Sequence, residues 1–278
     1  MDWQRVLPAW ARRAAVRAGA LPPAPVPVAL WQSTIATYPF LGRLTLAEDA
    51  HLQQLVAHFL QHKEFSGAHG LVITDAMAVA IAAQACVLLL YFGEPADALR
   101  WYDDFVGIVV HADDVVARRK VVDEAGVVHH YREELMGEAM EGGPVMLSWA
   151  AVQPGHAAHG GHTNVVIHEF AHKLDMHDGH ANGCPPLPRG FMGHTSASAA
   201  RQAWSAVWGD AYERFRDLVI RHERFGQPAP WLDAYGAEAP AEFFAVACEG
   251  YWVDRERMAE ELPTVVHALD AFFGRLAR

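Results

Sequence analysis

The chain has 278 residues, 52% hydrophobic and 20% charged, with a formal net charge of −11. This is a globular composition, long enough for one large core or two small lobes, and its acidity argues against direct contact with nucleic acid phosphates. Three widely spaced cysteines, Cys86, Cys184 and Cys248, make neither a disulfide framework nor a C-x-x-C knuckle, which points to a reducing, cytoplasmic setting.

The N-terminus, Met1 to Arg5, opens with an acid and lacks a following apolar run, so no secretory signal is expected. Asp2 to Ala20 reads as a basic, alanine-rich helix, ended by an extended proline-rich connector from Leu21 to Pro27. A mostly apolar segment, Trp31 to Phe40, leads to Thr45, which with Glu48 forms a capping-box signature. The helix it opens runs to about Lys63, and its stripe of Leu52, Leu55, Val56, Phe59 and Leu60 faces a core. Gly67 to Gly70 reads as a loop. Thr74 and Asp75 then cap an apolar helix from Ala76 to Phe92. It is short for a bilayer, interrupted by Gln84 and flanked by the acids Asp75 and Glu94, so it is read as a buried core helix and no membrane partner is expected.

Strand character follows at Gly107 to His111 and Val115 to Arg118, with Val121-Val122 and Val127-Val128 flanking a turn at Asp123 to Gly126. The lone histidines here, His111, His129 and His130, read as surface or core residues instead of ligands. Val145, Met146, Leu147 and Ser148 lie in a short apolar strand. At a sheet edge, such a strand could hold a peptide main chain by β-addition. Gly155 to His162 is Gly/His-rich, a composition suited to adventitious metal binding more than to catalysis.

His168-Glu169-Phe170-Ala171-His172 reads H-E-x-x-H and follows the apolar Val165-Val166-Ile167. With 17 histidines in the chain such a motif can arise by chance, so its surroundings matter. No Gly or Pro interrupts the stretch to Asp175, and a helix places His168 and His172 one above the other. One metal ion can then accept a nitrogen from each. Glu169, rotated by roughly 100°, reaches a water beside the metal without ligating it. Two imidazoles with a neighbouring carboxylate suit catalytic zinc better than calcium or magnesium.

A third ligand is required. The pattern H-E-x-x-H-x-x-G-x-x-H fails, because Asp175 and Asp178 stand where Gly and His are needed. A carboxylate from a later helix is the other common solution. Pro240 can open such a helix, and Glu238, Glu242 and Glu249 all qualify by position.

His168 to Asp175, taken with Tyr235 to Ala247, resembles the Mlc titration factor A family of zinc metallopeptidases. The similarity extends to Ile81 to Cys86 and Gly143 to Trp149, and covers most of the chain after about Pro39. In that family the Glu of the P-A-E-F-F run is the third zinc ligand, which implies Glu242 here. The Tyr seven positions earlier lines the active site, which implies Tyr235. The lethal-factor type of gluzincin is similar in carrying a Tyr and a Glu at this separation. Glu238 and Glu249 then fall outside the ligand set, and their removal is expected to spare the metal. The 156–162 and 184–200 segments depart from the family pattern, and Cys248, where a small hydroxyl residue is expected, reads as a packed thiol.

The resemblance implies an α+β, zincin-like fold. A small mixed sheet and an H-E-x-x-H helix form a catalytic core at 96–278, with a helical part at 1–95 packed on it. It implies one Zn2+ per chain and aminopeptidase-like hydrolysis of short peptides. Glu169 would act as general base, and Tyr235 as hydrogen-bond donor to the oxyanion. Asp175 is expected to orient one imidazole from behind. Some family members sequester the Mlc glucose repressor, so the alternative expectation is a regulatory protein that binds a transcriptional repressor of this type without using zinc.

Overall fold

The structure, a computed structural model, describes residues 22–122, 128–154 and 163–275. The expected Asp2–Ala20 helix, the Asp123–Gly126 turn and the Gly155–His162 run lie outside these residues. Helix α1 (Val28–Thr37) takes up most of the apolar segment before Phe40. Helix α2 (Leu46–His62) starts at the expected capping box. The Thr45 hydroxyl accepts from the Glu48 N–H while the Glu48 carboxylate accepts from the Thr45 N–H. Thr74 caps α3 (Asp75–Val87) by accepting from the Met77 N–H. The helix ends five residues before Phe92, where Leu89 and Leu90 bond back to Cys86 and Val87 and tighten the chain into turns. Every residue from Val79 to Leu90 is buried, which explains its membrane-like composition. Among the described residues no helix is long and apolar enough to cross a membrane.

The sheet has four strands in the order β1 (Glu64–Gly67), β2 (Gly107–His111), β6 (Val145–Ser148) and β5 (Gly137–Ala139). β1, β2 and β6 run parallel, and β5 is antiparallel to β6. β1 takes in only Gly67, the first residue of the expected Gly67–Gly70 loop. Its Glu-Phe-Ser-Gly sequence has no β-branched residue, and its strand state comes from pairing Glu64 through Gly67 with Gly107 through Val110. The sheet therefore draws strands from both sides of residue 95. Between β2 and β5 the chain forms a separate hairpin, β3 (Val115–Val122) with β4 (Val128–Leu135).

One expectation is corrected here. Val145 to Ser148 do form a strand, but β6 is paired on both sides, with β2 and with β5. Its backbone groups are already engaged and cannot receive a third strand. Among the described residues the outer strand on this side is β5.

The remaining helices, α4 (Pro95–Ala98), α5 (Trp149–Val152), α6 (Val165–Asp175), α7 (Ala197–Phe225), α8 (Pro240–Val253), α9 (Arg255–Glu261) and α10 (Pro263–Phe273), complete a mostly helical α+β, zincin-like fold. α6 is central. It packs against α3, α8, β5 and β6, with Ile167, Phe170, Ala171 and Leu174 fully buried.

Lys173 ties α6 to the sheet. Its fully buried ammonium donates to Asp104 Oδ2 at 2.8 Å, to the Met140 carbonyl at 2.6 Å and to the Gly143 carbonyl at 3.0 Å. The two carbonyls belong to the turn joining β5 and β6. Lys63, whose ammonium lies 3.9 Å from the Phe105 ring centre, reinforces the neighbouring turn by donating to the carbonyls of Tyr102 and Phe105. Burial pulls the Lys63 pKa down to about 8. Replacing Lys173 by Met strands a carboxylate and two carbonyls, so Lys173→Met is expected to cost about 3 kcal/mol. Urea unfolding of the two proteins measures it, and a loss below about 1 kcal/mol would show that the turn finds other partners.

Candidate metal centre

Two helices far apart in sequence build the centre. Asn164 starts α6, its side-chain oxygen accepting from the Ile167 N–H at 2.9 Å. With the apolar residues inward, His168 and His172 stand on the face turned to α8. Pro240 occupies the first turn of α8, where its missing N–H costs nothing, and places Glu242 in that turn.

The three side chains converge. His168 Nε2 and His172 Nε2 are 3.2 Å apart. Glu242 Oε2 lies 3.1 Å from the first and 3.2 Å from the second. Three donor atoms at nearly equal spacing form one face of a tetrahedron. Bonds of zinc length give such a face edges of about 3.3 Å, so the donor set fits a four-coordinate zinc with one position left for water or substrate. Among the described residues no other three His, Cys, Asp or Glu converge in this way. Burial opposes the Glu242 charge, yet hydrogen bonds from His168 and His172 outweigh it and hold the carboxyl well below the usual range.

Glu169 is buried beside these ligands, against β5. A Cβ on Gly137 would lie 2.6 Å from both Cγ and Oε1 of Glu169, so only glycine lets the carboxylate occupy this place. The Ala139 N–H also bonds to it. Burial raises the Glu169 pKa and the nearby Glu242 charge adds to this, while His168, His172 and the Ala139 N–H act in the opposite direction. Tyr235 presents its ring 5.9 Å, centre to centre, from that of His168 and is 42% exposed. Asp233 caps the short turn that carries it by accepting from the Tyr235 N–H.

Two carboxylates are placed differently from the expectation. Asp175 makes no hydrogen bond to an imidazole among the described residues. Its Oδ2 accepts from the Gly183 N–H at 2.7 Å, and burial pushes its pKa up to about 6. The carboxylate behind an imidazole is Glu249. Its Oε1 lies 2.8 Å from His168 Nδ1, and its Oε2 accepts from the Asn164 N–H. This contact leaves His168 Nε2 as the nitrogen facing Glu242 and His172. Asn164 Nδ2 donates in turn to Gln84 Oε1 at 2.7 Å, which joins the centre to α3. Sequence reasoning missed this role, although a signal existed. Glu249 follows Glu242 by seven residues, two helical turns, and so shares its face.

A buried H-E-x-x-H helix on a small mixed sheet, with a carboxylate from a later helix, defines the gluzincin class of zincin-like proteins. The chain belongs to the glucose-regulated metallo-peptidase M90 family, whose profile matches residues 9–274. It is 31% identical over 249 residues to Mlc titration factor A of Yersinia enterocolitica, covering 88% of this chain and 85% of that protein. The protein of the same name from Klebsiella pneumoniae is 32% identical over 84% of this chain and 82% of its own length. That of Salmonella arizonae is 31% identical over 88% and 90%, respectively.

The geometry revises the expectation that Glu249 is dispensable for metal. Glu249→Gln is expected to weaken zinc binding by about 10- to 100-fold, through loss of the charge that orients His168. Competition with a chelator of known affinity measures it. An unchanged dissociation constant would show that the imidazole is oriented by packing alone.

Proposed function

We propose that this chain binds one zinc ion through His168, His172 and Glu242 and hydrolyses short peptides, with aminopeptidase-like action. The observation that supports this most is the convergence of those three ligand atoms next to a buried, otherwise unexplained Glu169. Zinc in this site would polarise the scissile carbonyl and lower the pKa of a water molecule. Glu169 takes the water proton and passes it to the leaving amine. Tyr235 donates its hydroxyl to the developing oxyanion, worth about 3–4 kcal/mol for a comparable donor. A substrate main chain lies along the outer edge of β5, beside Glu169, in place of the edge first expected at Val145 to Ser148. The cysteine usage, three widely spaced residues with no disulfide framework or C-x-x-C pair, favours a cytoplasmic protein.

The curated relatives favour a second reading more directly, because they are named for titrating Mlc and not for a substrate. In that reading the chain sequesters a transcriptional repressor of the Mlc type, and zinc is not needed for the contact. One variant separates the two. Glu169→Gln keeps the shape of the side chain and removes the base, so zinc content should hold while turnover falls by about 10²- to 10⁴-fold. Repressor binding by the same variant, measured with purified repressor, should be unchanged. Undiminished hydrolysis in metal-free protein, checked by elemental analysis, would sink the peptidase reading.

Gly137→Ala tests the seat of the base from the other side. The new methyl must displace the Glu169 carboxylate, so turnover is expected to fall about tenfold or more at full zinc occupancy. Normal turnover would mean that Glu169 works from another rotamer.

A further inference from the structure

Asp175 is a fully buried carboxylate at the C-terminal end of α6, where the helix dipole disfavours negative charge. Among the described residues its Oδ1 makes no direct hydrogen bond, although the Asn182 and Cys184 N–H groups lie close enough to favour its charge. Such a group costs stability, and the metal centre as described does not use it. We infer that Asp175 is a positioning residue for Glu242, acting through Gly183 on the first residue of α8. The inference rests on the zinc-site reading above.

The chain of contacts is short. Asp175 Oδ2 accepts from the Gly183 N–H at 2.7 Å. On its other side, the Gly183 carbonyl accepts from the buried Trp204 indole N–H at 2.8 Å. Gly183 adopts φ +80°, and a Cβ there would lie 2.5 Å from the Pro240 carbonyl oxygen and 2.8 Å from its carbon. This one loop residue is therefore pinned by the end of α6 and by α7, and pressed against the backbone of Pro240. Glu242 is two residues further on, within the same helical turn. The histidines ride on α6 and the third ligand on α8, and the Asp175–Gly183–Pro240 contact sets the separation of those two elements where the ligand enters. Zinc–ligand distances tolerate deviations of about 0.2 Å, so a small shift of Pro240 is enough to spoil the set. Gly183 is a spacer whose thinness matters, and Asp175 holds it in place.

Zinc affinity tests this without reference to turnover. Dissociation constants would be measured by chelator competition on folded wild type, Gly183→Ala, Asp175→Ala and Asp175→Asn, with cobalt-substituted absorption spectra reporting the coordination. Gly183→Ala and Asp175→Ala are expected to weaken zinc about tenfold or more and to alter the cobalt spectrum. Asp175→Asn keeps an acceptor for the Gly183 N–H and should stay within about threefold of wild type. A purely structural role would lower the melting temperature and leave the affinity of the folded protein unmoved. Should Gly183→Ala fail to fold, the Asp175 pair decides. Wild type that binds zinc alongside Ala variants of equal affinity would overturn this inference alone, as would an Asn variant no better than Ala. Wild type that binds no zinc would overturn the site reading as well.

Discussion

The constraint on which this structure turns is that one carboxylate oxygen of Glu242 must stay about 3 Å from two imidazole nitrogens 70 and 74 residues away in sequence. Nothing local can enforce that. The two helices meet through a packed face, and the polar groups in this face are fixed by one another and by a backbone N–H. Glu249 grips both His168 and the first turn of its helix, while Asn164 carries the connection to Gln84 in α3. Because the polar groups in this network are paired with one another, the arrangement stays ordered without incurring the desolvation penalty of an unpaired group. A merely apolar interface would let α8 slide by fractions of an ångström at small cost.

How much of this was legible in the sequence depended on whether the signal was local. The capping box at Thr45 and Glu48, the apolar inward face of the H-E-x-x-H helix and Pro240 at the start of α8 are each written within one or two helical turns. They read correctly because the same residues decide the local structure. The zincin-like α+β class followed from the resemblance and is what the sheet and the helices form. β1 and β5 were not legible. Both are short, contain glycine, and become strands only because a partner with the right edge is available. Mistaking β6 for an edge has the same origin. Val-Met-Leu-Ser tells that a strand is buried, and says nothing about which neighbours flank it.

The carboxylates show the limit most clearly. Spacing offered three candidate acids after the motif, and resemblance chose Glu242. Neither could assign a distinct task to Glu249, because orienting an imidazole and ligating a metal draw on the same residue type on the same helix face. Asp175 was harder still. Its partner is a backbone N–H in a loop whose sequence, Asn182-Gly183-Cys184, carries no pattern that predicts the contact. Gly137 and Ala139 are similar, since the value of that strand to Glu169 lies in a bare backbone.

The placement of acids also explains why the centre favours a cation. Glu169, Glu242 and Glu249 lie within reach of two imidazoles in a largely buried space, and Asp175 closes the end of the helix. Three carboxylates so close together repel, and burial raises the cost of each charge. Protons offer one way to relieve this, and the directions of the shifts agree with it. Burial drives Glu169 upward, and bonds to Glu242 and Glu249 carry His168 upward against the burial that opposes it. A divalent ion offers the other way, because it binds the deprotonated ligands and neutralises the carboxylates without a proton. Protons and metal therefore compete for the same lone pairs. The fixed triangle of donors has edges that match a small tetrahedral ion such as zinc, and it leaves the fourth corner of that tetrahedron unfilled by protein.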